Sequence, residues 1–329
     1  MRAPGQKLKR RHLLAAPLAL LPLAARAQGT SAFPDRPVRY IVPFPPGGLT
    51  DTMARLVGQK LSDIWGRPVV VENRAGGSAM IGADAVAKSA PDGHTLLAMT
   101  STHTVNPSLF PNAPYDFARD LRTLSVLGAL PLVVVVRAEA PYRTLAELAA
   151  AAKTRQLSGG SSGTGSPPHL GLELFRIASG AGGNLVHAPY RGGAPSLTDL
   201  MGGSLDLIVS NLPECLPHIQ GGKLRGLAVT AEARHPLIPE IPTVAEVGFP
   251  QLVISNWTGI AIPRATPEPV VAALWKAVQR AMADPELRRR AEGGGFTLVV
   301  SAPADADRFA AAEMARWAKL VADANIKAD

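Results

Sequence analysis

Three features of this 329-residue chain predict an α/β fold of two lobes with a ligand cleft between them. Strand-like apolar runs alternate with helically spaced ones from Val38 onward, the pattern of largely parallel sheets covered by helices. Glycine-rich segments fall where strands should end and helices begin, the edge at which such sheets hold ligands. A β-like run over residues 124–137, a second βα series after Thr144 and a returning strand over 224–230 imply that the chain crosses between lobes twice.

The elements follow in order. Residues 38–44 form a continuous apolar run that reads as a buried strand. Over residues 49–65, Leu49, Met53, Leu56, Val57, Leu61 and Ile64 recur at helical spacing, and Thr50 or Asp51 suits a capped start. A strand over 69–71, a helix over 79–90, a turn at Pro91-Asp92-Gly93 and a strand over 94–100 come next. Pro131 is expected to break residues 124–137 into two strands, the second crossing into the other lobe. There, helices are expected over 145–153, near Ser166 and from Ala194, with strands over 184–188 and 205–209. After the return come a strand over 257–262 and helices over 267–282 and 304–324. The expected lobes are residues 28–131 with 227–329, and residues 132–226.

Residues 1–27 order a basic head, an apolar run from Leu13 to Ala24, and Ala25-Arg26-Ala27, which is the layout of an export signal cleaved near Ala27. The apolar run is too short for a stable membrane span, and Pro17 and Pro22 interrupt it. Arg10-Arg11 ahead of Leu13-Leu14 resembles a twin-arginine signal and equally suits an ordinary basic head. Arg2, Lys7, Lys9, Arg10, Arg11 and Arg26 lie in this segment. Its removal takes six of the 34 basic residues and leaves 28 against 26 acidic ones. The formal charge of +8 therefore reports mostly the leader, and nucleic acid is not an expected partner. Arg288-Arg289-Arg290 reads as the solvated face of a late helix. Cys215 is the single cysteine, so no intramolecular disulfide is possible, and it reads as a small buried hydrophobe. His94, His103, His187, His218 and His235 lack metal-ligand spacing, so neither a metal nor a cofactor is expected.

Glycine loops at residues 44–48, 159–166 and 190–194 let backbone approach a ligand closely. Each following helix should present unpaired N–H groups and partial positive charge, which suits a carboxylate.

Short motifs along the mature chain also carry a family resemblance. They include Pro34-Asp35-Arg36-Pro37, Val42-Pro43-Phe44-Pro45-Pro46-Gly47-Gly48 with Asp51, Val71-Glu72-Asn73-Arg74, Pro91-Asp92-Gly93 and Asn106-Pro107. Further on come Gly160-Ser161-Ser162-Gly163-Thr164-Gly165-Ser166 with His169, Pro189-Tyr190-Arg191-Gly192, Gly222-Lys223-Leu224-Arg225 and Ile241-Pro242-Thr243. In this order they resemble the Bug family, the extracytoplasmic solute receptors of tripartite tricarboxylate transporters. The resemblance implies a two-lobed, periplasmic-binding-protein-like fold that captures a small carboxylate and delivers it to membrane transporter subunits. A periplasmic monomer is the expected form.

Carried over by position, the implied ligand shell comprises Pro46, Gly47, Gly48 and Asp51 after the first strand, and Ser101, Thr102 and Thr104 after the third. From the second lobe it takes Ser161, Gly163, Thr164, Ser166, Tyr190 and Gly192. Ser210 stands where many members of the family carry Asp, which argues for a plain carboxylic acid over an amino acid. Asp51 is equally suited to favouring a helix N-terminus. His169 reads as a loop-bracing hydrogen-bonder, and Trp257, Trp275 and Trp317 as core.

Two other functions share some of these features. Gly159-Gly160-Ser161-Ser162-Gly163 satisfies G-x-S-x-G, and Asp199 or Asp206 followed by His218 or His235 keeps the order of a serine hydrolase. The polar residues 154–158 just before it do not read as the apolar strand that a nucleophile elbow requires. A solute-sensing module that signals to another protein would have the same two-lobed architecture.

Overall fold

The computed structural model describes Met1, residues 33–323 and residues 325–327. The expected export signal lies outside the described residues apart from Met1, as does Ala324 at the expected end of the last helix. The unit that begins at Phe33 is built on a 10-stranded sheet in the order Val69–Asn73, Val38–Val42, Thr95–Thr100, Ser255–Pro263, Leu121–Arg137, Leu207–Asn211, Leu157–Ser161, Leu185–Pro189, with Thr297–Leu298 and Leu224–Val229 also pairing Leu121–Arg137.

In the first half of the sheet, β1 (Val38–Val42) lies parallel to β2 (Val69–Asn73) and to β3 (Thr95–Thr100). Helices α1 (Leu49–Trp65) and α2 (Met80–Ala87) make the crossovers. Helix α1 buries Leu49, Met53, Val57 and Leu61 against the strands, the stripe that its sequence spacing predicts. It stops at Gly66, whose left-handed φ of 61° fits a residue without a β-carbon.

Two short helices, α3 (Thr102–Leu109) and α4 (Phe117–Asp120), escape the periodicity reading. Pro107 lies inside α3, and the helix is held by burial of Val105 and Leu109 rather than by intrinsic propensity.

Strand β4 (Leu121–Arg137) corrects the expected break at Pro131. It is one 17-residue strand whose partners change there: β9 (Ser255–Pro263) over Leu121–Pro131, then β7 (Leu207–Asn211) and β8 (Leu224–Val229) from Leu132 or Val133 on. A proline N–H is not missed at such a handover. Thr230 staples the point: Leu132 N–H donates to its Oγ1 at 2.9 Å, and that hydroxyl donates to Ile254 O at 2.6 Å.

The second half adds α5 (Leu145–Thr154), β5 (Leu157–Ser161), α6 (Pro167–Ser179), β6 (Leu185–Pro189), α7 (Gly193–Gly202) and α8 (Leu212–Gln220). Strand β5 was not expected from its polar, glycine-rich sequence. Its glycines are what let it be buried: a β-carbon on Gly159 would lie 2.5 Å from Leu172 Cδ1, and one on Gly160 2.5 Å from Leu205 Cδ1. Neighbouring side chains pack onto bare backbone where an apolar strand would have used its own.

The chain closes with α9 (Glu268–Met282), α10 (Pro285–Gly293), β10 (Thr297–Leu298) and α11 (Pro303–Asp323). Helix α11 serves both halves. Ala306 and Ala310 pack with Trp257 beside the first, whereas Trp317 and Val321 join the core of the second. The indole N–H groups of Trp257 and Trp317 both donate to Glu313 Oε2, at 3.2 and 3.1 Å. Trp275 is only partly buried, and its indole donates to Ser301 O.

Candidate functional site

Strands β1 and β3 run with β4 and β5, β6 and β7 run against it, so the C-terminal ends of the two sets point toward each other where β4 changes partners, and the loops that follow them enclose two adjoining cavities of about 490 and 660 Å³. Phe44, Thr102, Ser162, Ser166, Arg191 and Gly192 line both, so the cavities are compartments of one cleft walled from both halves of the sheet.

The larger part of the expected ligand shell converges here. Pro46, Gly47 and Gly48 line the first compartment, Gly163, Thr164 and Tyr190 the second, and Thr102, Ser166 and Gly192 both. Asp51, Ser101, Thr104, Ser161 and Ser210 line neither and brace the loops from behind. Asp51 accepts from Gly47 N–H, Arg55 Nε and Asn73 Nδ2 at 2.8–2.9 Å. Burial raises its pKa, and these donors more than offset that, so the carboxyl titrates below its ordinary value. Thr104 Oγ1 donates to Ser101 O at 2.7 Å, and buried Ser210 Oγ donates to Asn211 O.

Helices α1 and α7 begin at Gly48 and Gly192 without a side-chain cap, so the N–H groups of Leu49, Thr50, Gly193 and Ala194 remain available toward the cleft, Pro195 having none. Gly192 has a φ of 122°, which favours glycine. Helix α6 departs from the expectation of open N–H groups. Ser166 caps it by accepting from His169 N–H, and Pro167 and Pro168 remove two further donors. Ser166 Oγ also donates to Gly163 O at 2.6 Å, which fixes the loop.

The serine of the G-x-S-x-G pattern ends a regular strand. Ser161 is fully buried, its φ is not positive, and its Oγ lies 2.7 Å from His187 Nε2. The residues expected from hydrolase order are engaged elsewhere. Asp199 accepts from the Tyr190 hydroxyl at 2.6 Å, Asp206 accepts from Ser158 N–H at 2.8 Å, and His218 lines the first compartment. The Asp199 hydrogen bond pushes the Tyr190 phenol up to about 12, so it stays protonated. His169 accepts from Gly165 N–H and stacks on His187 with ring centroids 4.0 Å apart. Burial, with His187 beside it, pushes His169 down to about 3 and keeps it neutral. Burial also pushes the Cys215 thiol up to about 12, away from nucleophilic use.

Several lining residues were not anticipated. The loop Ala75, Gly76, Gly77, Ser78 and Ala79 repeats the strand-glycine-glycine-helix signal of Gly47-Gly48 and was readable by analogy. Arg191 lies inside the glycine loop at 190–194, whereas Asn211, Glu214 and Asn256 carry no local signal, because only the sheet order brings them to one cleft. Among the described residues lining the two compartments, Arg191 is the single Lys or Arg and Glu214 the single Asp or Glu. No helix of the described residues is long and apolar enough to cross a membrane, and no cluster of His, Cys, Asp or Glu among them could hold a metal ion.

Known proteins share both sequence and architecture with this chain. Residues 53–326 match the model of the tripartite tricarboxylate transporter family receptor. BugT of Bordetella pertussis is 38% identical over 299 residues, covering 90% of this chain and 91% of BugT. A Rhodopseudomonas palustris protein solved with adipate superposes with a TM-score of 0.85 at 34% identity, covering 90% of this chain and 100% of its own. MatC from the same organism, solved with malate, gives 0.82 at 31% identity over 88% of this chain and all of MatC. The fold is that of the periplasmic binding proteins, and the chain belongs to the Bug-type receptors of the tripartite tricarboxylate transporter family.

Proposed function

We propose that this chain is a periplasmic receptor that binds a small carboxylate by closing two lobes over it and delivers it to a tripartite tricarboxylate-type membrane transporter. One observation carries the reading: uncapped N-termini of α1 and α7, from opposite halves of the sheet, both face one cleft in which Arg191 is the single Lys or Arg among the described lining residues. The malate and adipate bound by MatC and its R. palustris relative support a carboxylate as the solute class. As proposed, one lobe takes residues 28–131 with 227–329 and the other residues 132–226, and Leu227, Ala228, Val244, Leu252, Ile254, Trp317 and Val321 of the returning segment pack into the core of the second. Closure is favoured because only the closed state gives the ligand donors from both. Pro46, Gly47, Gly48, Thr102, Gly163, Thr164, Ser166, Tyr190 and Gly192 form the contact surface, and Asp51, Ser101, Thr104, Ser161 and Ser210 hold it in shape.

The protein is exported by the signal in residues 1–27 and acts as a monomer without a cofactor. Titration calorimetry of the mature protein against mono-, di- and tricarboxylates tests binding, and solute uptake into proteoliposomes carrying the membrane subunits tests delivery. No heat and no thermal stabilisation with any carboxylate would end the binding reading; binding without uptake would leave a sensor rather than a transport receptor.

A further inference from the structure

We propose that Glu214 is a specificity-determining residue, and that the ligand is a carboxylic acid which also carries a cationic nitrogen, its ammonium seated against the Glu214 carboxylate. This rests on the carboxylate-receptor reading and narrows it.

Glu214 lies in the first turn of α8 and lines the 490 Å³ compartment. Among the described residues no Lys, Arg or His forms an ion pair with it. Its recorded partner is Asn211 Nδ2, which donates to Oε2 at 3.2 Å. That contact ends a polar chain along the cleft: Ser101 Oγ donates to Asn256 Oδ1 at 3.1 Å, and Asn256 Nδ2 to Asn211 Oδ1 at 2.9 Å. Every member is thereby oriented so that Glu214 receives a hydrogen bond, which suits its ionised form. The site is also shaped around the carboxyl, since a β-carbon at Gly193 would collide with it. Gly193 opens α7, so the negative charge of Glu214 takes up that helix's N-terminal field and leaves the α1 N-terminus and Arg191 to the ligand's carboxylate. Burial works against that charge and pushes Glu214 up to about 7, leaving a carboxylate that gains from a cation supplied by the ligand.

The charge inventory points the same way. One Arg and one Glu line the cleft, so a zwitterion meets a partner for each charge. A dianion would instead bring its second carboxylate toward Glu214. Ser210, buried and bonded to backbone, supplies no such charge, and Glu214 takes that part, which reverses the expectation of a plain carboxylic acid drawn from Ser210.

The test uses matched acids in which an ammonium replaces one carboxylate: succinate with 3-aminopropanoate, and adipate with 5-aminopentanoate. Calorimetry of the mature wild-type protein at about pH 8, where Glu214 is mostly ionised, should favour the amino member of at least one pair by about tenfold. Glu214→Gln should remove that preference, while a thermal melt verifies folding. The wild-type comparison stands without the variant. Tighter binding of the dicarboxylate in both pairs, or an amino preference unchanged in Glu214→Gln, overturns this inference and leaves the receptor reading intact. If neither the pairs nor the wider carboxylate panel binds, the receptor reading itself fails and this inference with it.

Discussion

Asn256 Nδ2 donates to Asn211 Oδ1 across 2.9 Å, and this one hydrogen bond ties β9 of the first half of the sheet to the end of β7 in the second. Both residues are buried, and both line the cleft. Asn211→Ala leaves Asn256 without that acceptor and Glu214 without its donor. Unsatisfied buried groups of this kind cost about 1–3 kcal/mol each. Denaturant unfolding should show the loss, and calorimetry should show weaker solute binding in the same variant.

Glu313 joins two tryptophans that belong to different cores. Glu313→Ala strips both buried indoles of their acceptor and is expected to destabilise the protein by about 1–3 kcal/mol for each indole left unpaired. The site lies away from the cleft lining, so a folded Glu313→Ala protein should keep the wild-type affinity for any acid that binds.

A pH profile should single out Glu214. Its pKa is raised in the folded protein, so between the ordinary carboxylate range and about 7 the native state binds more protons than the unfolded one. Stability from this group is therefore present at low pH and declines as pH rises through about 7. Glu214→Gln removes the titration. Compared with wild type, its melting temperature should be unchanged near pH 4 and higher near pH 8, by about 2–4 °C for each kcal/mol of relieved charge burial. An identical difference at both pH values would refute the assignment.

Ser166 closes its loop twice, as the α6 cap and as donor to Gly163 O. Ser166→Ala should cost about 0.5–2 kcal/mol of stability, measured by chemical denaturation. It also lines both compartments, so reduced solute affinity is expected alongside.

Ser161 is held as a loop brace against His187 and Gly163. A fluorophosphonate probe should leave the wild-type protein unlabelled. Labelling abolished by Ser161→Ala would revive the hydrolase reading.

Periodicity made α1 legible because its apolar stripe is local: each residue is read against others three and four places away. The same logic located the glycine loops that line the cleft. It failed at β5, where the apolar surface over the strand comes from Leu172 and Leu205 rather than from its own glycines. It failed again at Pro131, because a proline is tolerated where β4 exchanges one partner for others, and partner exchange leaves no mark on neighbouring residues.

The amino-acid sequence by itself determined the α/β class, the family resemblance and the strand-to-helix glycine turns, since each depends on short-range spacing. The three-dimensional packing alone decided which hydroxyls face the cleft and which turn inward, and that Asn256, Asn211 and Glu214 form one polar chain. Those contacts join segments far apart in the chain, and they exist only once the sheet order has set one strand beside another.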